Sequence, residues 1–123
     1  MSHDSSRLIN PTIVEGQIQG AVALGLGSAL LEEVRYDAQG QPLAGSYMDY
    51  AMPRAADLPA ILIDHLETPS PLNPLGLKGV GESGTLPVAA VIASAVEDAL
   101  AERGVRVEQV PLTPAVLRGL WRS

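Results

Sequence analysis

The sequence predicts an α+β fold in which helices pack on a small mixed sheet. Three observations support this class: an uncharged helical pattern at 16–31, a second helical pattern at 87–103, and short aliphatic runs bounded by turn residues. The chain has 123 residues, the size of one ordinary domain, and 46% of them are hydrophobic. We therefore expect a disordered leader at 1–7 and a single domain at 8–123.

The first helix is predicted to begin near residue 12 and to be buried. Thr12 and Glu15 have the spacing of a capping box, and Asn10-Pro11 offers an alternative start. The uncharged run at 16–31 is too short and too rich in glycine to span a membrane. The helix has an apolar stripe beside a stripe of small residues, made of Val14, Ile18, Val22, Leu26 and Leu30 and of Gly16, Gly20, Ala23 and Gly27. Because each interior glycine costs roughly 1 kcal/mol relative to alanine, we expect a close backbone or a cofactor beside this stripe.

The remaining elements are predicted from local patterns. Four short strands are expected, at 33–36, 41–47, 60–66 and 105–110, with a turn at 37–40 between the first two. A second helix should run from Pro87 to Arg103 and end at Gly104. A terminal helix at 113–121 should follow, with Thr113 as its N-cap and Pro114 at its first position.

The most informative segment is the glycine loop, residues 73–85, in which Glu82 lies among four glycines just before the second helix. Since glycine has no Cβ, this backbone can approach another molecule closely. Residues 79–84 also match the pattern G-x-G-x-x-G of dinucleotide-binding folds. That pattern needs a buried strand before it, and the prolines at 69, 71 and 74 argue against one. The sequence context therefore disfavours a Rossmann fold.

Five sequence blocks occur in a fixed order along the chain. They are NPTIVEGQIQG at 10–20, GLG at 25–27 with Glu32-Glu33, SYMDYAMP at 46–53, ETPSP at 67–71 and KGVGE at 78–82. The series resembles the C-terminal end of the molybdenum hydroxylase large subunit, the family of xanthine dehydrogenase, aldehyde oxidoreductase and carbon monoxide dehydrogenase. The resemblance covers roughly residues 8–120, and the block SYMDY is more similar to the carbon monoxide dehydrogenase branch than to xanthine dehydrogenase itself.

The resemblance implies roles for individual residues. Glu82 would be the general base that takes a proton from a hydroxyl, which then attacks a substrate carbon. Gln17 would contact the cofactor, the backbone of Gly79, Val80 and Gly81 would lie against the metal and the pterin, and Lys78 is a further cofactor-binding candidate. The reaction would be hydroxylation of an aldehyde or an aromatic heterocycle, or oxidation of carbon monoxide, with water as the oxygen source. The cofactor would be a molybdopterin, in its cytosine dinucleotide form, which itself holds the molybdenum, so no metal ligands are expected from the protein.

From the residues alone, Glu82 has a second possible role. It could cap the helix that begins between Thr85 and Pro87, because a carboxylate is favourable at a helix N-terminus. The five matched blocks favour the general base. The two histidines, His3 and His65, are not expected to bind a metal.

Length and composition limit what the chain does alone. Family large subunits are several times longer, so the isolated chain is expected to be inactive and to carry no cofactor. The expected partners are the remainder of a large subunit, with iron–sulfur and flavin subunits, because a chain without cysteine cannot bind such clusters. A homo-oligomer could also cover the apolar first helix. The net charge of −6 argues against nucleic-acid binding, and the N-terminus lacks the apolar core of a signal peptide, which favours the cytoplasm.

Three classes of function stay open at this point. The chain could be the C-terminal part of a split hydroxylase that joins a separate polypeptide. It could be a gene remnant or fragment that folds but catalyses nothing. It could also be an independent binding or assembly module that reuses the fold.

Overall fold

The computed structural model describes residues 1–122, which form three α-helices and two short β-strands. The helices are α1, Pro11–Leu30; α2, Val88–Ala99; and α3, Pro114–Arg122; the strands are β1, Ser2–Asp4, and β2, Asp64–Leu66. Short 3₁₀ turns occupy Ala55–Asp57 and Ala101–Arg103. The predicted α+β class is confirmed. The predicted end of the domain, Ser123, lies outside the described residues.

Helix α1 begins at Asn10-Pro11. The Ile13 amide donates to Asn10 Oδ1 at 3.3 Å, and Pro11 takes the first helical position, where its missing N–H is not needed. The sequence allows two starts for this helix, and the structure has the one at Asn10-Pro11. At the other end, the amides of Leu31 and Glu32 both donate to the carbonyl of Gly27, at 2.9 and 2.8 Å, and stop the helix.

The core lies along α1, where this helix meets the glycine loop and the start of α2. Ile18 and Ala29 are fully buried on α1. A Cβ added to Gly25 would lie only 2.6 Å from Val88 Cβ, so the two helices approach each other at a position that only glycine can occupy. At Gly16 and Gly20, in the first half of α1, nothing in residues 1–122 beyond the adjacent residues and the helix's own backbone lies within 4 Å of the position a Cβ would take. Within the small stripe, Gly27 is closely packed, since a Cβ there would lie 2.9 Å from Pro53 Cδ, whereas Gly16 and Gly20 are open.

The sheet is a parallel pair, not the mixed sheet that the sequence predicts. Strands β1 and β2 pair with His3 opposite His65. The expectation of a disordered leader at 1–7 is wrong for these residues, because Ser2–Asp4 form a strand and His3, Ser5 and Ser6 are buried. The three residues of β1 are all polar and too few to show the alternation typical of a strand. Their partner, β2, lies in the other half of the chain.

The other predicted strands are wrong or too long. Only a single antiparallel bridge, between Tyr36 and Pro42, joins the two segments predicted to pair around the turn at 37–40. The Asp37 carboxylate organises that turn by accepting from the amides of Gln39 and Gln41, both at 2.9 Å. Pro42 cannot donate to a ladder, so the pairing does not extend. Residues 105–110 form no strand, and of the strand predicted at 60–66 only Asp64–Leu66 is present.

The C-terminal part follows its predicted signals more closely. Helix α2 is shorter than predicted, but Gly104, in a left-handed conformation, ends the segment as expected. The Leu112 amide donates to the carbonyl of Ala29 at 2.6 Å, which ties the start of α3 to the end of α1. The Arg103 guanidinium lies 4.5 Å from the centre of the Trp121 ring and holds the far end of α3. None of the helices in residues 1–122 is both long and apolar enough to cross a membrane.

Candidate functional site

The first half of the glycine loop, residues 73–78, is held together by hydrogen bonds of Asn73 and by a close contact of Gly76. Asn73 closes it with two hydrogen bonds, from its Nδ2 to the carbonyl of Leu77 at 3.0 Å and from the Leu77 amide to its Oδ1 at 2.9 Å. Gly76 has a φ of +68°, and a Cβ there would lie 2.9 Å from Pro69 Cβ. Both features require glycine at this position.

The second half of the loop docks on α1. A Cβ added to Gly84 would lie 2.8 Å from Ala21 Cβ and 3.2 Å from the carbonyl oxygen of Ile18, so the loop backbone touches the helix directly. The Thr85 hydroxyl donates to the carbonyl of Ala21 at 3.2 Å. These contacts leave an open groove between the loop and the first half of α1.

The groove has a volume of about 420 Å³ and brings together Gln17 and Glu82, two site residues that the sequence places far apart. Its lining residues come from α1 and from the loop: Gln17, Gly20, Ala21, Leu24, Gly81, Glu82, Thr85 and Leu86. Most of this surface is small or apolar, with one amide and one carboxylate side chain. It has the composition of a wall against which a large flat group could lie.

Glu82 faces this groove as an exposed side chain. Within residues 1–122, no hydrogen bond or ion pair joins its carboxylate to another residue. Helix α2 begins only at Val88, and its N-cap position, Pro87, has no side-chain cap. The alternative in which Glu82 caps α2 is therefore not what the structure contains. Its carboxylate remains available to a group that enters the groove.

The glycines on either side of Val80 leave the backbone uncovered. At Gly79 and Gly81, no described residue other than the chain neighbours has an atom within 4 Å of the position a Cβ would take, and both glycines are exposed. Space that a side chain would fill is thus left beside the peptide groups that precede Glu82. A polar, oxygen-rich or sulfur-containing group can approach these amides at hydrogen-bonding distance.

Lys78 lies outside this groove, and its ammonium is already engaged. Its Nζ is 2.5 Å from Asp4 Oδ2 and 2.5 Å from the Thr68 hydroxyl, and Thr68 donates to Asp4 as well. The hydrogen bond from the Lys78 ammonium, followed by that from the Thr68 hydroxyl, lowers the pKa of Asp4 well below its ordinary value. Together with Val80, Lys78 lines a second groove of about 290 Å³ on the side of the N-terminal segment.

A buried histidine, which sequence reasoning missed, also reaches the loop. His3 Nε2 lies 2.5 Å from Ser83 Oγ, and His3 Nδ1 lies 2.7 Å from Ser5 Oγ. The Ser83 hydroxyl is also 3.0 Å from the carbonyl oxygen of Val80. His3 and Ser83 are 80 positions apart, and no local pattern links them. Only a predicted strand at residues 2–4 would have indicated that His3 lies near the loop.

A larger cleft, of about 610 Å³, lies apart from the predicted site residues. It is formed mainly by the segment 47–54 and is lined by Leu31, Tyr47, Met48, Tyr50, Ala51, Met52, Pro53, Arg54 and Asp57. Met48 is 97% exposed. No three His, Asp or Glu side chains within residues 1–122 lie together in a way that could hold a metal ion.

Comparison with known proteins gives one consistent family. The family described as the molybdopterin cofactor-binding domain matches residues 1–59, which include the N-terminal strand. The chain is 45% identical, over 114 residues, to the gamma subunit of the 6-hydroxypseudooxynicotine dehydrogenase complex of Paenarthrobacter nicotinovorans. That match covers 92% of this chain and 14% of the relative.

A second relative and a solved structure agree with the first. The chain is 41% identical, over 120 residues, to the carbon monoxide dehydrogenase large chain of Hydrogenophaga pseudoflava. This match covers 98% of this chain and 15% of that protein. Its fold matches quinoline 2-oxidoreductase from Pseudomonas putida 86 with a TM-score of 0.93 and 48% identity, over 99% of this chain and 16% of the other. The chain therefore spans only about 14–16% of the length of these proteins.

Proposed function

Because the chain belongs to the molybdenum hydroxylase family, as a segment of its molybdopterin-binding large subunit, we propose that it supplies the general base of a molybdenum-dependent oxidoreductase. The base is Glu82. The observation that supports this role is the position of Glu82 in the groove opposite Gln17, where its exposed carboxylate has no hydrogen-bond or ion-pair partner among residues 1–122.

In this proposal the groove receives one side of the cofactor. When bound, the molybdopterin supplies the molybdenum centre that takes up two electrons from the substrate. The Gln17 amide and the backbone amides of Gly79, Val80 and Gly81 would bind its polar edges, and Gly20 leaves room for it against α1. Lys78 would contribute by holding the base of the loop, since its ammonium is engaged by Asp4. We propose the cytosine dinucleotide form of the cofactor, bound only in the assembled enzyme.

Glu82 would act by proton transfer. One of its carboxylate oxygens accepts the proton from a water-derived hydroxyl as that oxygen adds to the substrate carbon, and it later returns the proton to solvent. The same step serves an aldehyde, an aromatic heterocycle or carbon monoxide as the substrate class. The open side of the groove means that other parts of the large subunit must exclude bulk water.

The exposed apolar surface supports the need for a partner. Tyr47, Met48 and Leu72 are almost fully exposed, and the cleft formed by 47–54 is largely apolar. We propose that the remainder of a large subunit covers these side chains, in a cytoplasmic complex with iron–sulfur and flavin subunits. The alternatives are a homo-oligomer, an inactive fragment and an assembly module. A second copy of the chain or an assembly partner would also cover the exposed cleft.

The test is Glu82→Gln in the complete, assembled enzyme. The amide keeps the size of the side chain but cannot accept the proton, so turnover per molybdenum should fall by about 10²-fold or more. Molybdenum content and the thermal midpoint should stay at the wild-type values. Glu102→Gln is the matched control, because Glu102 is exposed in the 3₁₀ turn Ala101–Arg103. Near-normal turnover of Glu82→Gln at full molybdenum content would end the proposal.

A further inference from the structure

We propose that His3 is a positioning residue for Glu82 and that it acts through Ser83. This inference rests on the proposed function of Glu82. Within residues 1–122 the side chain of Glu82 makes no hydrogen bond or ion pair, and its neighbour Gly81 has no side chain to anchor the backbone. The orientation of Glu82 therefore depends on the residues that flank it. Ser83 is the next residue, and its hydroxyl contacts both His3 and Val80.

The hydrogen atoms of this network can be assigned by counting. The Ser83 hydroxyl has one hydrogen, and the carbonyl oxygen of Val80 can only accept it. With the Ser83 hydrogen donated to Val80, the contact between Ser83 Oγ and His3 Nε2 is made by a hydrogen on Nε2. In the neutral ring, Nδ1 becomes an acceptor for the Ser5 hydroxyl. A directed chain of three hydrogen bonds thus runs from Ser5 through His3 and Ser83 to Val80.

Burial makes this chain an effective anchor. His3 is 8% exposed and Ser5 is 5% exposed, so water competes little for their hydrogen bonds. The chain fixes the Val80 carbonyl and the Ser83 side chain, which lie on the two sides of the Gly81–Glu82 pair. The Thr85 hydroxyl and the close contact of Gly84 then tie the following residues to α1. Glu82 is held from both directions while its carboxylate stays in the groove.

The N-terminal strand is a suitable platform for His3. Strand β1 pairs with β2, and the next residue, Asp4, binds both Lys78 and Thr68. These contacts fix the backbone of His3 on either side. Groups that position a reacting side chain need such support, because a small displacement of the reacting atoms costs much of the rate.

The first test measures hydrogen exchange in this 123-residue chain. His3→Gln places an amide N–H where Nε2 lies and can keep the bond to Ser83, whereas the shorter His3→Asn cannot reach it. The amides of Thr85 and Val88, which donate to the carbonyls of Glu82 and Thr85, should exchange about fivefold faster in His3→Asn, the equivalent of one net hydrogen bond, and near the wild-type rate in His3→Gln. His65→Asn is the control, because His65 lies opposite His3 in the sheet. Equal exchange in the two His3 variants would overturn the proposal.

Nitrogen NMR of the wild-type imidazole gives a check that needs no variant. His3 Nε2 should be hydrogen-bonded to the Ser83 hydroxyl, and an Nε2 without a hydrogen bond would overturn the proposal even if the His3 variants fail to fold.

The second test uses the assembled enzyme. His3→Asn should lower kcat by about tenfold at unchanged KM and molybdenum content, and His3→Gln should restore most of it. The failure of this inference and of the proposed function can be told apart. An unchanged loop in His3→Asn overturns the role of His3 whatever the result for Glu82→Gln. Normal turnover of Glu82→Gln overturns the role of Glu82 whatever the exchange rates.

Discussion

The contact between α1 and α2 predicts that Gly25→Ala destabilises the fold. The new methyl carbon would lie 2.6 Å from Val88 Cβ and 2.9 Å from Val88 Cγ2. Carbon atoms in contact normally lie about 3.5–4.0 Å apart, so the helices would have to separate by about 1 Å. Overpacking of this severity costs about 3 kcal/mol, and replacing glycine by alanine in a helix recovers about 1 kcal/mol. We expect the free energy of unfolding to fall by about 2 kcal/mol.

Gly20→Ala is the matched control within the same helix. Apart from the adjacent residues and the helix's own backbone, nothing in the described part of the chain lies within 4 Å of its new methyl group, so only the gain in helix propensity remains. The free energy of unfolding should rise by about 1 kcal/mol. The two substitutions are chemically identical and should have opposite signs.

A double variant tests the identity of the contact. The nearest atom to the new methyl group is Val88 Cβ, which no side-chain rotation can move. Val88→Gly should therefore cost less in the Gly25→Ala background than in the wild type, with a coupling of at least about 1 kcal/mol. Urea unfolding followed by far-UV circular dichroism measures all of these values. A stabilising effect of Gly25→Ala, or the absence of coupling, would refute the reasoning.

Two further predictions concern the N-terminal segment. Ser6 is fully buried, has a φ of +57°, and its hydroxyl has no partner within residues 1–122; Ser6→Gly should therefore stabilise the chain by about 1 kcal/mol. A lower thermal midpoint for this variant would contradict the strain. The Lys78 ammonium lowers the pKa of Asp4, so the stabilisation by ionised Asp4 is complete above the ordinary pKa of about 3.9 and is lost as the pH falls towards the lower folded-state value. Asp4→Asn should be less stable than the wild type at neutral pH, and thermal melts should show that difference shrinking below about pH 4; a constant difference would be inconsistent with the ion pair.

The helices could be predicted because their signals are local. Asn10-Pro11, Gly104 and Thr113-Pro114 mark helix ends within a few residues, and the structure uses each of them. Strand β1 could not be predicted in this way, since its three residues are ordered by a partner far along the chain. The segment at 33–47 is predicted to form two strands that the structure does not contain. Its residues favour strands, but Pro42 has no amide to donate, and only one bridge forms.

The candidate site was predictable only in part. The resemblance to a family pointed to Gln17 and Glu82, and the structure places both in one groove. The glycine pattern of α1 indicated a close neighbour but could not show that Gly25 meets Val88 while Gly20 faces open space. His3 was hidden from sequence reasoning, because its contact with Ser83 depends on tertiary structure.

The position of Trp121 decides what its fluorescence reports. It is the single tryptophan of the chain, 58% exposed on α3 beneath the Arg103 guanidinium. Helix α3 can leave the end of α2 without separating α1 from α2, since local segments open at lower free energy than the core. Emission should therefore change before the helical signal is lost. Different unfolding midpoints by Trp121 fluorescence and by circular dichroism would then reflect fraying of α3. They would not establish a folding intermediate.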